Sequence, residues 1–218
     1  MDNIAALRVA FSASRGEDVS SQREVLKRYS GFGGLKFILN PCEKNEDKER
    51  WPEGDKPFFE ATWLLFDLIR ENSRDDAQYM EYVRSLRSSI LSAFYTPVPV
   101  IEALSGALKK AGLEVGTFLD PSSGRGSFVE SFKSGRPDME VTAFEKDLLT
   151  GIVLKALYPG DDIHVAGYET SGEKYHDHFD VAASNIPFGD VKVFDPVYTA
   201  VTTRRTAGPR TPSITIFS

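Results

Sequence analysis

Cysteine is almost missing. Cys42 is the single thiol in 218 residues, which excludes an internal disulfide and a multi-cysteine zinc site and points to a reduced, cytoplasmic setting. Long apolar runs are missing as well. The longest, around Trp63-Leu64-Leu65-Phe66, is broken by Asp67, whereas a membrane-spanning helix needs about 20 apolar residues, so no membrane partner is expected. The N-terminus lacks a basic segment followed by an apolar core, and no secretory signal is read there. Positive charge is short too: 26 Lys and Arg against 32 Asp and Glu leave a formal net charge of −6. Proteins that hold DNA unaided are usually basic, because phosphate neutralisation supplies much of their affinity. The charge therefore argues against this chain gripping DNA by itself. The tail is a local exception. There Lys192, Arg204, Arg205 and Arg210 outnumber Asp190 and Asp195, a pattern that more often marks a solvated terminus than a phosphate clamp.

What is present is an ordinary soluble composition, 41% hydrophobic and 27% charged, with length for one domain and an appendage. The character changes near residue 90. Residues 1–90 read as a helical region. A helix over 22–29 stops at Gly31-Phe32-Gly33-Gly34, 43–55 is a charged exposed loop, and 58–69 is a buried apolar helix. Ser73 with Asp76 resembles a capping box, followed by Tyr79, Val83, Leu86 and Ile90 at helical spacing. Residues 91–218 alternate helix and strand. Thr96 is placed to cap a helix with Pro97 in its first turn, Ile101, Leu104 and Leu108 as its stripe and Gly112 at its end. Strands are expected at 117–119, 141–144, 163–165 and 179–183, and helices over 127–133 and 148–157. This alternation implies parallel pairing through crossovers, an α/β layered fold.

The turn after the first of these strands, Asp120-Pro121-Ser122-Ser123-Gly124-Arg125-Gly126-Ser127-Phe128, is the most informative segment. Gly124 and Gly126 permit tight backbone geometry and close approach of a ligand to main-chain N–H groups. Asp120 falls at the carboxyl end of a strand, where open α/β sheets bind ligands. Glu145 ends the next strand, 25 positions later, and an acid there can accept hydrogen bonds from both ribose hydroxyls. A diphosphate site is not indicated, since neither Gly-x-Gly-x-x-Gly nor Gly-Lys-Ser/Thr occurs at this turn. Directly after the fourth strand comes Asn185-Ile186-Pro187-Phe188. The asparagine amide and the adjacent carbonyl can accept from an exocyclic amine, and an aromatic ring beside them can stack on a flat base. Taken alone, this is also how an Asn-initiated turn with a core Phe would look.

Together, Phe94-Tyr95-Thr96-Pro97, the Asp-Pro-x-x-Gly-x-Gly-x-Phe turn, Phe144-Glu145-Lys146-Asp147 and Asn185-Ile186-Pro187-Phe188 resemble four ordered motifs of the amino-DNA methyltransferases. With Tyr29-Ser30-Gly31-Phe32-Gly33-Gly34-Leu35, the chain is similar more narrowly to the methylase part of large methylase-helicase proteins of phages and conjugative elements. The resemblance runs from about residue 29 to 197. It implies a Rossmann-like sheet that binds S-adenosyl-L-methionine, preceded by a helical region, and methyl transfer to the N6 amine of adenine in DNA. By position, Tyr95, Thr96 and Pro97 would lie by the methionine end of the cofactor. Asp120, Pro121, Ser122, Gly124, Gly126 and Phe128 would form its cradle, Glu145 would hold the ribose, and Tyr168 and Glu169 would lie near its adenine. Asn185, Ile186, Pro187 and Phe188 would hold the target base, which must leave the stack to react. No metal is implied, and His164, His176 and His178 are read as incidental, with no zinc spacing.

Two departures bear on activity. The family motif is usually Asn-Pro-Pro-aromatic, and Ile186 replaces its first proline. The carbonyl is retained, and Pro187 still biases Ile186 toward an extended backbone. Only about 30 residues follow Asn185, so the sheet is expected to be incomplete and DNA recognition to need further domains or a partner chain. Two other readings stay open: a non-catalytic module that holds the cofactor or a partner, and a related enzyme acting on RNA adenine or glutamine amides. A nicotinamide oxidoreductase is disfavoured by the phosphate-binding turn.

Overall fold

A computed structural model of the chain describes residues 1–92, 95–171, 174–175 and 177–186. Its elements in chain order are α1 (Asp2–Ser14), α2 (Arg23–Lys27), α3 (Phe59–Glu71), α4 (Asp76–Ser92), α5 (Val98–Lys110), β1 (Thr117–Asp120), α6 (Ser127–Lys133), β2 (Glu140–Phe144), α7 (Leu148–Leu157), β3 (Asp162–His164) and β4 (Val181–Ala182). Contacts divide them into two compact units. One is Met1–Ala93 with Asp147–Leu157; the other is Phe94–Lys146 with the chain from Tyr158 on. The first is thus α1 to α4 plus α7.

In this helical unit α1 packs chiefly on α7. Ile4, Leu7 and Phe11 recur three and four apart and are buried, as are Leu149, Val153, Leu154 and Leu157 of α7. Asp147 starts α7. Its carboxylate accepts from the Ser85 hydroxyl at 2.9 Å, from the Thr150 hydroxyl at 2.6 Å and from the Leu149 amide at 3.3 Å. Since Thr150 gives its proton to Asp147, the buried Tyr29 hydroxyl is the donor in its 3.0 Å bond to Thr150. The loop after Tyr29 is clamped by Asn3, which donates to the Gly31 carbonyl at 2.6 Å and accepts from the Ser30 amide at 2.8 Å. Gly34 (φ 78°) then donates to the Ile90 carbonyl at 2.9 Å, holding the last turns of α4.

Three local expectations are corrected. Residues 43–55 are not simply an exposed loop. They contain a 3-10 helix, Asn45–Arg50, nucleated by buried Asp47, which accepts from the Glu43 and Lys44 amides, and buried Trp51 follows that helix. Ser73 does not cap α4 but donates back to the Ile69 carbonyl at 2.7 Å. Asp75 accepts from the Gln78 amide, and the Gln78 side chain accepts from the Arg74 amide, two positions beyond the expected Ser73–Asp76 pair. Thr96 makes no cap either, because α5 begins one residue later, behind Pro97.

The second unit is built on a parallel four-stranded sheet of order β3-β2-β1-β4, so the chain is mixed α/β. β1 and β2 are buried over most of their length, as strands of a parallel sheet are when both faces are covered. Phe118 stacks on Phe132 of α6 at 4.4 Å, and Phe144 stacks on the His164 ring at 4.5 Å. The two-residue β4 is fastened at its start by Asp180, whose carboxylate accepts from the Gly116 amide at 2.8 Å and the Thr117 amide at 2.9 Å. Because the strands are parallel, the segments that follow β1, β2 and β4 all emerge at one end of the sheet. Among the described residues, no helix is long and apolar enough to cross a membrane, and no group of His, Cys, Asp and Glu could hold a metal ion.

Candidate functional site

At that end of the sheet the central residue is Asp120, fully enclosed at 0% exposure. Its Oδ1 accepts the Ser184 hydroxyl at 2.7 Å and the Ser122 amide at 3.3 Å. Its Oδ2 is buried with no hydrogen-bond partner among the described residues. Burial pushes the carboxyl up to about 7, with the Ser184 and Ser122 hydrogen bonds pulling the other way. A buried acceptor of this kind is incomplete without a donor, and a cationic donor suits it best.

The following turn is tied down by its own backbone. The Ser123 amide donates to the Phe144 carbonyl of β2 at 2.8 Å, and the Gly126 amide to the Ser123 carbonyl at 2.8 Å. Gly124 and Gly126 have φ of 54° and 84°, the left-handed region that glycine enters without strain. The Gly124 amide donates to Glu145 Oε2 at 2.7 Å. A Cβ added to Gly124 would lie 2.9 Å from Tyr95 Cε1, so the tyrosine ring closes directly over the turn. The structure thus brings Tyr95, Gly124 and Glu145 together. A carboxylate on the turn amide also disfavours a phosphate at that position.

The remaining expected residues have varied settings. Thr96 and Pro97 follow Tyr95 into α5, and Pro121 and Ser122 are half-buried in the turn. Phe128 is buried inside α6's packing at 7% exposure. Beyond β3, Tyr168 meets Phe144 edge-on at 5.2 Å, and Glu169 pairs with Lys146 at 2.8 Å while its carboxylate fills the space beside Gly167. Asn185 is half-buried, and Ile186 is exposed at 39%. Pro187 and Phe188 lie outside the described residues, as do Phe94, His176 and the basic positions Lys192, Arg204, Arg205 and Arg210. His164 works structurally, stacked on Phe144 and bonded to the Tyr175 hydroxyl at 3.1 Å. Ser184 received no role from the sequence. Its only signal was its place beside Asn185, yet it joins Asp120 to the last described residues of the site.

No protein-family model matches the chain. Over 100 residues, 45% of this chain, it is 33% identical to Defense against restriction protein B of Escherichia phage P1. The chain is similar to part of that phage protein. The match spans 4% of the relative's length. Among solved structures, a modification subunit assigned to a type I restriction enzyme from Vibrio vulnificus YJ016 aligns over 86% of this chain and 53% of its own, at 16% identity and a TM-score of 0.35.

Proposed function

We propose that the chain is the cofactor-binding part of a restriction-modification-related methylase, with a Rossmann-like sheet that takes S-adenosyl-L-methionine and directs methyl transfer to the N6 amine of adenine in DNA. The observation that carries this reading is the buried Asp120 Oδ2, an acceptor without a donor among the described residues, at the carboxyl end of a parallel sheet. The residues fit the group. An amino-acid ammonium satisfies Asp120, the Glu145 carboxylate suits a pair of ribose hydroxyls, and Tyr95 covers the turn on the side where Gly124 leaves no room for a side chain. When bound, this cofactor supplies a methyl group on a sulfonium, a leaving group that needs no further activation. The chain's own residues then orient rather than react. The Asn185 side-chain carbonyl and the Ile186 main-chain carbonyl would accept from the amine of an extruded base and fix the orientation of its lone pair. Similarity to a phage protein named for defence against restriction supports a DNA substrate. The net charge of −6 supports a need for further domains or a partner chain in holding that DNA.

Calorimetric titration with S-adenosyl-L-methionine tests the cofactor. Binding is expected, and below about pH 7 affinity falls up to about tenfold per pH unit as Asp120 is protonated. No heat at high micromolar concentrations would sink the reading for this chain. Transfer of labelled methyl to adenine-containing single strands, lost in Asn185→Ala, tests the substrate.

A further inference from the structure

We propose that Ser184 is a positioning residue that couples the Asp120–Gly126 turn to the Asn185 segment, so that filling the turn and placing the Asn185 amide depend on one another. As a claim about catalysis this rests on the cofactor reading above; as a claim about geometry it does not. Ser184 is buried, two residues past β4 and immediately before Asn185. Its Oγ lies 2.7 Å from Asp120 Oδ1 and 3.2 Å from the Ser122 carbonyl, and a single hydroxyl proton serves the stronger acceptor, the carboxylate. A lone pair remains, and it takes the Ser122 amide at 3.1 Å. One side chain therefore grips both the strand end and the turn. Just before it, the Ala183 amide bonds to the Leu119 carbonyl at 3.0 Å and continues the β1–β4 pairing. The backbone that leads into Asn185 is held to β1 on one side and to the turn on the other.

Any change at Asp120 must then be felt at Asn185. When the carboxylate takes up a proton, the Ser184 hydroxyl loses its best acceptor and can swing to the Ser122 carbonyl. A cationic donor at Oδ2 acts in the opposite sense, keeping Asp120 charged and Ser184 in place. The charged and titratable groups on the neighbouring elements are Arg125 of the turn, Glu145 and Lys146 past β2, His164 of β3, and Glu169 beyond it. Burial and the serine hydrogen bonds, among them those from the Ser184 hydroxyl and the Ser122 amide, govern Asp120, not these groups.

The test is a pH titration of the full chain followed by nuclear magnetic resonance, reading the Asp120 carboxyl carbon and the Asn185 backbone amide. The two signals are expected to share one midpoint in the parent protein. In Ser184→Ala the Asp120 midpoint moves up and the Asn185 signal no longer follows it, while Ser184→Thr, which keeps the hydroxyl, restores the linkage. With cofactor added at pH 7, Ser184→Ala is expected to bind at least about tenfold more weakly, the loss of a hydrogen bond to a charged group. An Asn185 amide that ignores Asp120 in the parent protein overturns the proposal, even if Ser184→Ala fails to fold. So does an unchanged Asp120 midpoint in Ser184→Ala. A parent protein that shows the shared midpoint but binds no cofactor keeps the coupling and refutes the cofactor reading instead.

Discussion

Asp120 sits where its charge is poorly solvated, and folding stability must depend on pH through it. Its carboxyl is pushed up to about 7 by burial, against about 3.9 in an unfolded chain. Between those values the folded protein keeps a proton that the unfolded protein has released. The contribution of this residue is therefore fully present below about pH 4 and is lost as pH rises through about 7, a change of at most about 4 kcal/mol. Asp120→Asn keeps the shape and removes the charge. It is expected to melt at a higher temperature than the parent at pH 8, with the gap closing toward pH 4, while cofactor binding weakens. A variant less stable than the parent at pH 8 would show that Asp120 is charged and well served in the fold. Such a residue trades stability for a site, which is why a conserving substitution should improve folding and harm binding together.

Among the elements, β4 pairs with β1 over two residues and is fastened at its start by one side chain. The Asp180 carboxylate accepts from the Gly116 and Thr117 amides and from the Thr117 hydroxyl, and those bonds hold it below the usual carboxylate range, the Thr117 amide most of all. The sign is opposite to that of Asp120. This clamp is present above the unfolded pKa and is lost as pH falls through the lower folded value. Asp180→Ala is expected to speed hydrogen exchange at the Ala183 amide, which bonds to the Leu119 carbonyl, without changing exchange in β2. Unchanged protection of Ala183 would mean that β4 is held by packing alone. At this scale the sequence was readable in kind and less so in detail. The strand and helix periods of β1, β2, α3 and α7 were visible because burial imposes them locally. The caps were not. Ser73, Asp75 and Asp76 all stand near the start of α4, and the bonds formed are those of Asp75 with Gln78, a choice among equally plausible neighbours that spacing does not make. Helix α1 fell inside the region read as helical but was not delimited, since it packs on α7, far along the chain, as well as on α2.

For the whole molecule, the partition of contacts bears on how the chain is cut. The functional division we propose, a helical region over 1–90 and a methylase domain over 91–218, passes α7 to the second part. Contacts place α7 with α1, α2 and α4. A fragment covering 91–218 would expose Leu149, Val153, Leu154 and Leu157, each worth about 1.5–3 kcal/mol when buried. It is expected to bind a hydrophobic dye and to aggregate; a soluble fragment with a cooperative melt would overturn this. The Tyr29–Leu35 segment has a structural part in the same unit, since Tyr29 bonds to Thr150 of α7 and Gly34 to the end of α4. The sequence by itself determined the α/β alternation, the Gly-rich turn after β1 and the nearness of Asp120 and Glu145 to strand ends, because backbone sterics and burial periodicity act over a few residues. Only the tertiary structure decided that Glu145 rests on the Gly124 amide, that one oxygen of Asp120 has no partner among the described residues, and that Ser184 joins Asp120 to the turn. Hydrogen bonds between residues some 20 to 60 positions apart exist only once parallel strands have brought their ends together.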